Sequence, residues 1–106
     1  SQKDMYPVYY NLNHYNDTVK FVDTTNNDEI NDPITLKNIA YTTPMSEVDT
    51  SAVNQAVKYL QDKGYVLTNN PLTTTGLKQD ASDQTYTLEF KHDTQAGSQQ
   101  VTPTRI

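Results

Sequence analysis

The stretch Asp83–His92, DQTYTLEFKH, decides the fold. Tyr86, Leu88 and Phe90 alternate with Thr85, Thr87, Glu89 and Lys91, the period of two that marks a strand with one buried face. It is the most regular alternation in the chain, and it stands almost last, followed by the polar run DTQAGSQQVTPTRI. A final strand this regular is expected to be a central one, because burial of one face pins its register.

The remaining elements fall around it. TVKFVD (Thr18–Asp23) places Val19 and Phe21 on one face and Lys20 on the other, a second half-buried strand. TTNNDEIND is dense in turn formers and is expected to close a hairpin. The partner strand is then PITLKNIAY, with Pro33 at its start, where a missing N–H does least harm. DTSAVNQAVKYLQDKG is the one convincing helix. Val53, Ala56, Val57 and Leu60 fall at i, i+3, i+4 and i+7 and share a face. Asp49, Thr50 or Ser51 can cap its first turn, and Gly64 suits the left-handed position beyond its last. YVLTN (Tyr65–Asn69) leaves that cap as a third strand, and NPLTTTGLKQDASD is a polar connection to the fourth.

The order strand, strand, helix, strand, strand predicts an α+β domain, with about four strands in a mixed sheet packed on one helix. A β-grasp (ubiquitin-like) closure fits best. In it the last strand lies beside the first, between two outer neighbours, with the helix over both. A ferredoxin-like arrangement requires a second helix, and the sequence offers none. Residues 17–95 are expected to form this module. Residues 1–16, with a possible short strand at Val8–Leu12, read as a lead-in segment or extra edge strand, and residues 96–106 as a linker followed by the beginning of something else.

Composition bounds the function. The chain has 106 residues, 34% of them hydrophobic, which suits one domain with a small core. Thr (16), Asn (10) and Tyr (8) are abundant, so short strands and polar turns are favoured. A net charge of −5 without a basic stripe argues against nucleic acid and against anionic membrane surfaces. No apolar run approaches the ~18 residues of a membrane span. Cysteine is absent, which excludes thiol catalysis, Cys-based zinc sites and disulfides together.

No constellation points to catalysis. Ser and Thr lack any nucleophile frame, no Gly-rich phosphate loop is present, and no pair among the scattered Asp stands out as acid and base. His14 and His92 would meet if the first and last strands pair, since His14 precedes one and His92 ends the other, but neither HxH nor HxxxH spacing occurs, and two exposed strand-end residues explain them as well. Asp23, Asp28, Glu29 and Asp32 supply oxygens of the kind that hold Ca²⁺, yet turn chemistry accounts for them more simply. No cofactor is therefore expected, with Ca²⁺ as the alternative. Lys20 and Lys91 lie on the strands expected to be central, but on the face away from the helix, which disfavours a Lys–Asn cross-link. The tyrosine surplus is the informative feature, since Tyr couples a flat apolar face to a hydroxyl and suits sugar rings and protein partners alike. Tyr59, Tyr65 and Tyr86 are expected in or beside the core. Tyr9, Tyr10, Tyr15 and Tyr41 are the ligand-contact candidates, and Tyr6 is expected to be exposed with them.

Three segments together carry a family likeness. DTVKFVDTTNNDEI holds a V-x-[FY]-V-D opening, YLQDKGYVLTNN a GY-x-L after the helix, and SDQTYTLEFKHDTQ the closing strand. Over about residues 17–95 the chain resembles the mucus-binding (MucBP/Mub-type) repeat domains of lactobacillus cell-surface adhesins. His92–Asp93–Thr94 departs from the pattern, which more often has Gly between His and Thr. The resemblance implies a non-catalytic β-grasp module of a cell-wall-anchored surface protein of a Gram-positive bacterium. It implies mucin glycoproteins or their glycans as partners, immunoglobulins or another protein as an alternative, and neighbouring repeats in the same chain. A structural spacer with no ligand of its own is the rival reading.

Overall fold

The computed structural model describes residues 10–92. Four strands and one α-helix follow in chain order, with short 3-10 turns at Met45–Glu47 and Pro71–Thr73: β1 (His14–Asp23), β2 (Asp28–Ala40), α1 (Ser51–Asp62), β3 (Tyr65–Asn69) and β4 (Thr85–His92). The sheet order is β2-β1-β4-β3, with β1 and β4 parallel at its centre and both outer pairs antiparallel. This is the mixed β-grasp sheet expected from the sequence, with the last strand beside the first.

Burial explains the arrangement. On β1 every second residue is buried: Asp17, Val19, Phe21 and Asp23. On β4 the same alternation buries Leu88 and Phe90. The helix lays Val53 and Leu60 on these residues, and Leu36, Ile39 and Met45 complete the core. The rings of Phe21 and Phe90 lie 6.3 Å apart across the central pair, and Tyr65 meets Phe90 edge-on at 6.5 Å. Such pairs add ~1 kcal/mol to simple burial. The helix starts where Asp49 Oδ1 accepts hydrogen bonds from the Ser51 N–H (3.0 Å) and hydroxyl (2.6 Å). These two bonds hold the Asp49 carboxyl below the usual carboxylate range. The helix stops at Gly64, whose φ of 95° is the left-handed conformation that glycine adopts freely.

β2 differs from its expected form. It begins at Asp28, not Pro33, and the connection from β1 is the short turn Thr24–Asn27. That turn is closed by the Asn27 N–H to Asp23 O at 2.7 Å and by left-handed Asn27, φ 61°. Pro33 thus sits inside a thirteen-residue strand. It is tolerated because β2 is an edge strand and the register shifts between Ile34 and Asn31, so no ladder bond needs its N–H. Two further shifts occur in the same pairing. One of them, between Leu36 and Ile39, places Asn38 at φ 60° and gives its N–H to Asn16 Oδ1 at 2.8 Å.

Of the short strand expected at Val8–Leu12, Val8 and Tyr9 lie outside the described residues, while Tyr10, Asn11 and Leu12 have no regular structure. His14, Tyr15 and Asn16 belong to β1.

Candidate functional site

Several tyrosines gather where the sheet begins. At the end where β1 begins, Tyr41 follows β2 and donates its backbone N–H to Asn13 O at 3.4 Å. Tyr15 lies opposite Ile39, and His14 opposite Ala40. The Asn11 amide donates to the Tyr15 hydroxyl oxygen at 2.9 Å. Tyr10 is 76% exposed and Tyr41 39%, whereas Tyr15 is half-buried. Three of the four sequence-based candidates, Tyr10, Tyr15 and Tyr41, therefore gather at one pole. Tyr9 and Tyr6 lie outside the described residues.

Beside this pole is a shallow depression of about 350 Å³. The end of β2 lines one side with Lys37, Asn38 and Ile39, and the approach to α1 lines the other with Thr43, Val48 and Asp49. It offers a cation, a carboxylate, an amide and a hydroxyl around an apolar floor. That mixture can hydrogen-bond sugar hydroxyls or a peptide backbone.

Of the three tyrosines expected in or beside the core, one stands elsewhere. Tyr59, expected beside the core, is 54% exposed. The reason lies in helical geometry: at about 100° per residue, position 59 points ~120° away from the stripe formed by Val53, Val57 and Leu60. Its ring lies under the Lys63 ammonium, 5.0 Å from the centroid. Tyr65 and Tyr86 do pack against the core, as expected. Burial raises the Tyr86 hydroxyl above its ordinary 10.0, with smaller contributions from the Asp17 and Asp80 charges. Tyr65 also meets His92 edge-on at 4.9 Å.

The two histidines do not meet. Parallel pairing of Thr18 with Thr85 and of Asp23 with Phe90 puts His14 before one end of the ladder and His92 beyond the other. In the acidic turn, Asp23 Oδ1 accepts the Thr25 N–H at 2.9 Å and Asn26 Oδ1 the Asp28 N–H at 3.1 Å, which is turn chemistry. Among the described residues no three His, Asp or Glu side chains gather to hold a metal ion. No helix there is long and apolar enough to cross a membrane.

Sequence reasoning missed a buried polar knot near the aromatic pole. Asp17 is fully buried, and its Oδ1 accepts the Gln84 N–H at 2.9 Å and the Gln79 amide at 3.1 Å. The Gln79 amide also donates to the carbonyls of Asp80 and Ser82, both at 3.1 Å. The signal was present in the alternation, since Asp17 shares parity with Val19 and Phe21. Gln79 gives no such signal, because it stands in an irregular connection.

A parallel central pair, two antiparallel flanks and one covering helix define a β-grasp module that presents a polar, aromatic end to solvent. The chain belongs to the mucin binding domain family, whose model matches residues 16–92. Among solved structures it is similar to Mub-RV, at 24% identity and a TM-score of 0.55, over 74% of this chain and 39% of that one. It is likewise similar to the type 2 repeat of the mucus binding protein MUB from Lactobacillus reuteri, at 24% identity and a TM-score of 0.54, over 74% and 40%. The chain thus spans about two-fifths of the length of the structures it matches. At this identity the likeness concerns the fold, and it bears out the β-grasp expectation and the resemblance to Mub-type repeats. A search of the curated proteins finds no match.

Proposed function

We propose that this is a non-catalytic adhesin module that contacts mucin glycans through the pole formed by Tyr10, Tyr15 and Tyr41. The observation that supports the reading is that the segment holding Tyr10 and Tyr15 and the segment holding Tyr41 meet at one end of the sheet, through the Tyr41 N–H to Asn13 O bond, next to a depression lined by His14, Lys37, Asn38 and Asp49. Membership of the mucin binding domain family supports it. The exposed tyrosine rings supply flat apolar faces for pyranose rings, and the neighbouring amides and hydroxyls supply donors and acceptors. A shallow site of this kind binds weakly, and linked copies raise avidity by about 10²–10⁴-fold through effective concentration. In this reading the module works outside a Gram-positive cell, carried with neighbouring repeats on a wall-anchored protein. It needs no bound ion: the acidic turn is held by its own side chains, and its melting temperature is expected to be indifferent to Ca²⁺ and to chelator.

The test is retention on mucin-coated surfaces, by the single module and by a tandem copy. Tyr10→Ala combined with Tyr41→Ala is expected to abolish retention while leaving the circular dichroism spectrum intact. Periodate treatment of the mucin is expected to do the same. Retention that survives periodate would favour a protein ligand such as an immunoglobulin, and no retention by either copy number would leave a spacer.

A further inference from the structure

The topology fixes how tension crosses the module. The chain enters β1 at His14 and leaves β4 at His92. These strands are parallel neighbours, so entry and exit lie at opposite poles. Pulling the two ends apart directs force along the strands, and β1 must slide past β4. All the hydrogen bonds between them are then strained together. A pull across the strands would instead open them one at a time.

The β1–β4 ladder suits that load. It runs without a register shift through six pairs, from Thr18↔Thr85 to Asp23↔Phe90. Its end bonds are short: the Thr18 N–H to Gln84 O at 2.8 Å and the Thr24 N–H to Phe90 O at 2.9 Å. Side chains reinforce both ends. At the entry pole the Asn16 N–H donates to Asp83 Oδ1, and the Gln84 N–H to Asp17 Oδ1, both at 2.9 Å. At the exit pole the Thr24 hydroxyl donates to Phe90 O at 3.3 Å. Asp17 is fully buried, as are Val19, Phe21, Leu88 and Phe90 along one face of the ladder. From that face water has little access to a stretched bond.

We propose that the module is a force-bearing link, in which the parallel β1–β4 ladder, clasped by Asp17 and Asp83 at one end and Thr24 at the other, carries tension applied along the chain. This role concerns the sheet alone and does not rest on the glycan reading. Resistance to forced unfolding follows the height of the unfolding barrier rather than equilibrium stability.

Single-molecule pulling tests it. The chain has no cysteine, so one introduced thiol gives a unique handle. The full chain is pulled first by its two termini. A Thr25→Cys variant is then pulled between that thiol and the C-terminus. Thr25 is exposed in the turn next to the end of β4, so the second geometry peels the β1–β2 hairpin away from its exit pole. A several-fold higher unfolding force in the end-to-end geometry is the expected result, and equal forces would overturn the proposal. Asp17→Ala, pulled in both geometries, isolates the clasp. It should lower the end-to-end force and leave the peeling force nearly unchanged, since peeling starts at the other pole. An equal fractional drop in both would remove Asp17 from the clamp. Because neither measurement uses mucin, failure here is distinct from failure of the glycan reading.

Discussion

The two sides of β1 are built differently. Toward β4 the pairing is parallel and unbroken, and both strands are buried beneath the helix. Toward β2 it is antiparallel, with three register shifts, a proline and a left-handed asparagine. The first side fixes the fold, because a one-residue slip there would turn Leu88 and Phe90 out of the core. The second side absorbs extra residues, because an edge strand has a free flank into which bulges can relax. The same irregularity makes β2 a poor template for pairing with another chain.

Substitutions can break or sharpen this contrast. Phe90→Ala should have the largest effect, about 3–5 kcal/mol by urea denaturation, because a fully buried ring leaves a cavity against Phe21. Ile34→Ala, on the bulged side and half-buried, should lose clearly less. Equal losses would mean that the two sides contribute alike. Asp17→Ala should follow at about 1–3 kcal/mol, since the Gln84 N–H and the Gln79 amide both lose an acceptor in a buried place. Asp17→Asn, which retains one acceptor oxygen, should lose less than the alanine variant.

Smaller effects belong to the bulges. Asn38→Ala should cost about 1–2 kcal/mol, because alanine resists a φ of 60°. Asn38→Gly should be near neutral, and a glycine variant as damaged as alanine would argue that the Asn side chain, rather than the backbone conformation, matters there. Pro33→Ala should change the unfolding free energy least, within about 0.5 kcal/mol by urea denaturation, because no ladder bond depends on that position.

One pH dependence follows from Tyr86. Its hydroxyl titrates above the ordinary 10.0 in the folded chain, because burial and then the Asp17 and Asp80 charges disfavour the phenolate. The unfolded chain therefore releases its proton first as pH rises. The stability from neutral Tyr86 is fully present below pH 10.0 and is lost above it. Denaturation measured from pH 9 upward should show a shallower alkaline decline in Tyr86→Phe than in the parent, and an identical decline would exclude Tyr86 as its source. Asp49 acts in the opposite sense. Its lowered carboxyl favours the folded chain above the usual carboxylate range, and that contribution disappears as pH falls through the lowered value.

Much of this molecule could be read from local pattern. The alternations of Val19 with Phe21 and of Leu88 with Phe90 named the two central strands. The spacing of Val53, Ala56, Val57 and Leu60 named the helix and its buried face, and Gly64 marked its end. These succeed because a strand with period two and a helix with period 3.6 must each bury one face, whatever else the chain does. The same rule, applied more strictly, would have turned Tyr59 outward and Asp17 inward. The extent of β2 was not legible, because each bulge resets the alternation and hides the strand behind residues that also suit turns. Only the tertiary structure brought Tyr41 to Asn13, between Tyr10 and Tyr15 in the chain, set Gln79 against Asp17, and sent His14 and His92 to opposite poles. Those juxtapositions depend on which strands pair and in which direction, and pairing is decided by long-range burial that no short window of sequence contains.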